Sequence, residues 1–316
     1  MLYIGEKVGS GEGPKIDIAL DPLEGTTLTA KGLTNALAVI AMAEEGGFLY
    51  SPDVYMDKIA VGGALPVGVV DLDESPANNL TNLAKAKNLE VSDIVACILD
   101  RPRHEELIAK VREAGARIML ITDGDISGVI ATSEEESGVD IYLGSGGAPE
   151  GVLAAAALQC IGGQMQGRLI FRNEDERKRA TNCGITDFDR KYELSDLAHG
   201  EVMIAATGVT TGTMLKGVRR YSGGATTHSL VMRSKSGTVR YVEAFHNFER
   251  KTGFDPVYGA RPLKRYLQHE LETRIARAIV AGKIPDGSHV TVDHGDGELD
   301  IRIQTAENPL AAAVTG

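Results

Sequence analysis

The chain has 316 residues, enough for one large or two ordinary domains with real cores, and its 43% hydrophobic and 24% charged composition describes a soluble globular protein. A net charge of −11 argues against nucleic-acid backbone or anionic membrane as the main partner, although local arginines or a metal can reverse the sign inside a cleft. Cys97, Cys160 and Cys183 form no CxxC pair and are odd in number, so a complete disulfide framework is excluded. With no basic leader at MLYIGEKVG and no apolar run approaching about 18 residues, the cytoplasm is expected.

In chain order, KIDIALD, GVVDLD, DIVACILD, ARIMLITD and VDIYLGSGG are expected as buried strands that end in acidic or glycine loops. HEELIAKVREAG sets Leu107, Ile108 and Val111 on one helical face and stops at Gly115. EGVLAAAALQCI reads as an Ala-rich helix that opens directly after glycines. Strand, loop and helix alternate in this way to about residue 250, which makes the chain α/β. Beyond that the character changes. Leu263, Leu267, Leu271 and Ile275 recur every four residues, with Ile279 extending the stripe of an amphipathic helix. HVTVDHGDGELDIRI is expected to form a β-hairpin around Gly-Asp-Gly, and TAENPLAAAVTG a disordered tail.

Four motifs carry chemistry. Asp21-Pro22-Leu23-Glu24-Gly25-Thr26 ends the first expected strand. Its two carboxylates, spaced by a proline turn, can face one hard cation; Gly25 lets backbone approach a phosphate, and Thr26 offers a hydroxyl or an amide. A plain turn with a capping threonine is the alternative. Arg101-Pro102-Arg103 makes a stiff clamp for phosphate, or a solvated loop. Asp123-Gly124-Asp125 can accept from sugar hydroxyls, or cap the next helix. In GSGGAPEG the glycines before Pro149 expose amides that can cradle an anion, Pro149 suits a first helical turn, and Glu150 can be a partner for the helix dipole and nothing more. All four follow expected strands. Acids for metal, arginines and amides for phosphate, and acids for hydroxyls together describe a site for a phosphorylated sugar. The seven histidines show no HExxH pairing, so a zinc-protease reading fails.

The segments MLYIGEKVG, DIALDPLEGTTLTAKGLTNALAVIAM, SPDVYMDKIAVG, RPRH, ITDGDIS, GSGGAPEGVLAAAALQC and ATGVTTGTMLKGV resemble, in wording and in order, the class II fructose-1,6-bisphosphatases. That resemblance implies a layered α/β sandwich of the lithium-sensitive sugar and inositol phosphatase superfamily, and hydrolysis of fructose-1,6-bisphosphate or sedoheptulose-1,7-bisphosphate with Mn2+ or Mg2+. It also implies a dimer or tetramer. By motif, Asp21, Glu24 and Glu150 would be metal ligands, and Asp21, Glu24 and Thr26 would be catalytic. Glu24, Gly25, Thr26, Tyr55, Arg101, Pro102, Arg103, Asp123, Gly124, Asp125 and Gly147 would meet the substrate. Family members carry an acid-rich segment ahead of MLYIGE with further metal ligands, so the chain is expected to be truncated and impaired.

TGFDPVYGARPLKRYLQHELETRIARAIVAGKIPDG resembles the C-terminal small domain of ClpB-type disaggregases, in which Arg261 would be the nucleotide-sensing arginine. No GxxxxGK[ST] loop accompanies it, so Arg261 is expected to be an orphan. The expected organisation is a phosphatase domain over 1–250, a small α+β module over 251–304 and a tail over 305–316. An inactive fragment or a chaperone-associated module is the alternative function.

Overall fold

The structure is a computed structural model that describes residues 4–9, 11–248, 289–295 and 298–304. The expected helix over Leu263 to Ile279, Arg261 and the tail lie outside the described residues.

The chain opens with β1 (Ile16–Glu24), α1 (Thr26–Lys31), β2 (Leu37–Glu44), β3 (Tyr55–Gly62) and α2 (Pro76–Lys87). There follow β4 (Val95–Leu99), α3 (Glu105–Glu113), β5 (Arg117–Ile121), α4 (Asp125–Ala131), β6 (Ile141–Gly147) and α5 (Ala148–Ile161). Next come β7 (Gly163–Ile170), α6 (Glu174–Asn182), β8 (Lys191–Glu193), α7 (Leu194–Leu197) and β9 (Val202–Gly208). The last described elements are β10 (Arg219–Tyr221), β11 (Gly224–Arg233), β12 (Thr238–Asn247), β13 (His289–Gly295) and β14 (Glu298–Gln304). The expected α/β alternation holds.

The chain divides into two compact units, Met1–Arg219 with Thr226–Ala244, and Arg220–Ala225 with Phe245–Gly316. In the second, β13 and β14 pair antiparallel from His289↔Gln304 to Gly295↔Glu298, the hairpin expected around Gly-Asp-Gly. The first unit holds two sheets. One runs β1-β2-β9-β11, with β12 also on β11, and the other runs β5-β4-β6-β3-β7-β8. In the second sheet β4 lies parallel to β5 and β6, while β3 is antiparallel to β6 and β7.

Helix α5 explains its own composition. It packs on β1, β2 and β9 of the first sheet and on β3, β6 and β7 of the second. Hemmed in on both sides, it is buried almost all round, and Ala154 to Ala157 keep it slim enough to fit. The far face of the second sheet is covered by α2 and α3, where Leu80, Leu83, Ile108 and Val111 meet Ile59, Ile98 and Ile141. Alternation along β1, β2 and β9 points Val39, Ala41 and Ile204 into the core and leaves Ile18, Leu20, Ile40 and Met203 in solvent.

One expected strand is absent. In GVVDLD, Val69 and Val70 are buried, but the chain turns there instead of pairing. The amides that a ladder would need are taken by side chains: Asp71 N–H donates to Asn79 Oδ1 at 2.8 Å, Leu72 N–H to Gln166 Oε1 at 2.8 Å and Asp73 N–H to Asp71 Oδ1 at 2.8 Å. Lys191 clamps Asp71 and Asp73 from the edge strand β8.

Gly62, at the end of β3, lies against the backbone of Thr132, where a methyl group would collide with the carbonyl oxygen and sit 3.2 Å from Ser133 Cα. Backbone cannot swing aside as a side chain can. Gly62→Ala is therefore expected to lower stability by about 1–3 kcal/mol in urea denaturation. A midpoint equal to that of the parent chain would count against this packing.

Candidate active site

Asp21 and Glu24 share one side of β1 because of a bulge. Asp21 pairs with Val39 and Glu24 with Leu37, so three steps on β1 match two on β2. In a regular strand, residues three apart point to opposite faces; the extra residue returns Glu24 to the side of Asp21. The expectation of a proline turn after Leu20 is corrected accordingly: the strand continues through Pro22, which is tolerated at a bulge on this edge strand. Leu23 N–H donates to Asp21 Oδ1 at 2.9 Å and holds the kink. Gly25 then turns the chain with φ of 83°, the left-handed conformation that glycine adopts without strain, and Thr26 stands exposed at the start of α1.

The parallel strands bring the other motifs to the same end of the second sheet. Arg101 follows β4, Asp123 follows β5 and Gly147 closes β6, all at carboxyl ends. Gly144 to Gly147 are not the glycine loop expected from the sequence but the last residues of β6, paired with β3 from Lys58↔Gly144 to Tyr55↔Gly147. Glycines are needed there because side chains crowd the strand. A Cβ on Gly147 would run into the Glu150 carboxylate, and one on Gly146 into Asp125.

Asp21, Glu24, Asp125 and Glu150 feel one another's charge. Glu24 is 4% exposed; its Oε1 accepts from Ile126 N–H at 2.7 Å, while Oε2 is buried with no hydrogen-bond partner. Burial pushes this carboxyl well above the usual carboxylate range, and the charges of Asp125, Asp21 and Glu150 push further, against the Ile126 bond. Burial likewise raises Asp21, helped by Asp123 and Asp125 and opposed by Leu23. Glu150 is raised by burial and then by Asp125 and Asp21, with Lys58 opposing.

The cation among these acids is Lys58, from the middle of β3. It is 1% exposed, pairs with Asp125 Oδ2 and donates to the Gly147 carbonyl at 2.9 Å. Asp125 is thus committed to an internal ion pair as well as standing at the start of α4, which is more than the cap or hydroxyl acceptor expected of it. Asp123 lies 3.8 Å from the Arg101 guanidinium.

Arg103 donates through Nε and Nη2 to the Ser145 carbonyl, the shorter contact being 2.7 Å, and its guanidinium carbon lies 4.8 Å from the Tyr55 ring centre. Pro102 begins the short 3₁₀ turn that ends in His104. His104 is buried; its Nδ1 donates to the Leu99 carbonyl at 2.7 Å, and its Nε2 accepts from Ser145 N–H at 2.8 Å. Those partners require the neutral ring, and burial, with help from Arg103 and Arg101, lowers the pKa of His104 accordingly. His104 ties the arginine loop to β6.

Sequence reasoning missed Lys58, Ser145, the locking role of His104, and Arg172, which also lies 4.8 Å from the Tyr55 ring centre. A lysine inside the apolar run YMDKIAVG was the available signal for Lys58. Among the described residues no group of three His, Cys, Asp or Glu side chains is arranged as a ready metal shell. The donor chemistry still fits a divalent ion: oxygen ligands, mutually repelling, one of them buried and unpartnered.

The family model described as bacterial fructose-1,6-bisphosphatase, glpX-encoded, matches residues 1–246. A second, for the C-terminal D2-small domain of ClpB, matches residues 231–292, so the two overlap across β11 and β12. A D-fructose 1,6-bisphosphatase class 2/sedoheptulose 1,7-bisphosphatase from Synechococcus sp. (strain JA-3-3Ab) is 44% identical over 271 residues, covering 78% of each chain. Its counterpart from Synechococcus elongatus is 42% identical over 274 residues, covering 79% of each. With some four-fifths of its length matched by the first family, and with its acids, arginines and glycines gathered at one sheet end, the chain belongs to the bacterial glpX-type fructose-1,6-bisphosphatases.

Proposed function

We propose that the chain transfers the C1 phosphoryl group of fructose-1,6-bisphosphate to water, releasing fructose-6-phosphate and inorganic phosphate, and that it treats sedoheptulose-1,7-bisphosphate alike. Both activities stand in the names of its relatives. The observation that carries the reading is the buried, unpartnered Glu24 oxygen among repelling acids, a donor set whose chemistry suits a hard cation.

Asp21, Glu24 and Glu150 would hold Mn2+ or Mg2+. Either ion, when bound, supplies positive charge to the phosphoryl and departing oxygens and acidity to an attacking water. The chain's own residues orient the sugar. The Gly25 amide and the Thr26 hydroxyl meet the reacting phosphate beside Asp21 and Glu24. Asp123, Gly124 and Asp125 accept from or line the sugar hydroxyls, and the Gly147 backbone gives one more contact. Tyr55 and the Arg101-Pro102-Arg103 turn face the distal phosphate, with His104 holding that turn against β6.

The described layers suit the sandwich of the lithium-sensitive phosphatases, and the domain would span 1–250. Residues 251–304 would be a ClpB-like module and 305–316 a tail, in a cytoplasmic dimer or tetramer. No helix among the described residues is long and apolar enough to cross a membrane. The ClpB match favours a second reading, an inactive phosphatase remnant docked on a chaperone.

Phosphate release from fructose-1,6-bisphosphate with Mn2+ or Mg2+ separates the two. Turnover that falls at least about a thousandfold in Glu150→Ala, as expected when a metal-holding group is lost, supports the enzyme. A folded parent chain without turnover, or a variant as active as the parent, overturns it.

A further inference from the structure

Two guanidinium groups converge on Tyr55, and only one of them belongs to the Arg101-Pro102-Arg103 motif. We propose that Arg172 is a specificity-determining residue, which binds the substrate's distal phosphate together with Arg103 beside Tyr55. The proposal rests on the phosphatase reading above.

Topology puts Arg172 in place. Tyr55 opens β3 and is flanked by Gly147 of β6 on one side and by Ile170, the last residue of β7, on the other. The chain leaving β7 therefore passes Tyr55 within two residues, and there Arg172 lays its guanidinium 4.8 Å from the ring centre. Arg103 arrives at the same distance from the turn after β4. Both charges thus lie within about 10 Å of each other, one Debye length at 0.1 M salt, so their repulsion is only partly screened. In a chain of net charge −11, such convergence suits an anion.

Both arginines are also held in advance. Arg172 donates through Nε at 2.7 Å and Nη2 at 2.5 Å to Glu176 Oε1, and its own N–H donates to Glu176 Oε2 at 2.7 Å. Glu176 is 1% exposed, and the bonds from Arg172 hold its carboxyl below the usual range. Asp53 adds a second negative charge nearby, and Arg179, 3.9 Å from Glu176, adds a further positive one. Arg103 is anchored through the same two nitrogens, on Ser145. In each case these bonds engage Nε and Nη2 and leave Nη1 for a ligand. Anchoring removes the rotamer entropy that a free arginine would lose on binding. Arg101 is the weaker candidate, since it leans towards Asp123 and the Asp100 carbonyl.

An Arg–Glu pair four residues apart at the start of α6 can be purely structural, so the test must read the ligand. Arg172→Met is compared with the parent chain on fructose-1,6-bisphosphate and on fructose-1-phosphate, which has the same ester and no distal phosphate. Binding of fructose-6-phosphate, which keeps only the distal phosphate, is measured by calorimetry. Because Arg172→Met leaves the buried Glu176 with only the more distant Arg179 as a counter-ion, the double variant Arg172→Met/Glu176→Met is run beside it.

The expected result is a rise of about 10–100-fold in KM for the bisphosphate and in Kd for fructose-6-phosphate, the range for losing a charge-assisted bond. Hydrolysis of fructose-1-phosphate should change less than about twofold. An equal fall on both substrates, or no change on either, overturns the role of Arg172 while leaving the phosphatase intact. A parent chain that neither hydrolyses the bisphosphate nor binds fructose-6-phosphate overturns both.

Discussion

Lys58→Met is expected to destabilise the fold by about 3–5 kcal/mol, the cost of breaking a buried ion pair from one side. Lys58 is the internal counter-ion of Asp125, and both are nearly inaccessible to water. Removing the ammonium leaves Asp125 buried beside Glu24, Glu150 and Asp21, whose carboxyls already stand above their usual range. It also strips the Gly147 carbonyl of its donor. Urea denaturation should show a lower midpoint at an unchanged slope. Adding Asp125→Asn should recover much of the loss, because the orphaned charge goes with it. A single variant within about 1 kcal/mol of the parent, the range of a surface pair, would mean that Lys58 does not neutralise the cluster.

Glu24→Gln should act in opposite directions on stability and on activity. With a chelator present, the variant is expected to be more stable than the parent by about 0.5–2 kcal/mol at neutral pH, the usual yield of relieving a strained functional site. The substituted amide keeps the acceptor for Ile126 N–H and places a donor where an unpartnered oxygen now faces other carboxylates. The pH dependence follows from the raised pKa. In the folded state Glu24 holds its proton at pH values where the unfolded chain has released it, so folding takes up a proton. Parent stability therefore falls as pH rises from the ordinary glutamate value towards the raised folded value, and this component is missing in Glu24→Gln. Phosphatase turnover should meanwhile drop by about a thousandfold or more, because a neutral amide is a poor ligand for a hard cation. Equal stability of the two chains across that pH range would sink the idea that Glu24 is a strained, unpaired carboxyl in the folded chain.

Helix and strand periods carried most of the elements. HEELIAKVREAG and EGVLAAAALQCI declare helices, and α3 and α5 form where they do; DIVACILD and ARIMLITD declare the parallel strands β4 and β5. GVVDLD misled because its alternation is real, and Val69 and Val70 are indeed buried. What the pattern could not show is that Asn79 and Gln166 would reach its amides first, since those partners come from α2 and β7.

The residues alone determined the chemistry of the site. Asp21, Glu24 and Glu150 are hard oxygen donors, Arg101 and Arg103 are planar cations, and each stands beside a strand end, because composition and local period are short-range properties. Only the tertiary structure decided which of them meet. The bulge that brings Glu24 to the side of Asp21 is a mismatch between two strands, invisible in either one. Lys58 reaches Asp125 across 67 residues, and Ile126 caps Glu24 across 102. Lysine in a strand is by itself only a misplaced charge. It becomes a counter-ion when folding carries a carboxylate into the same dry pocket, where an unpaired charge of either sign could not stay.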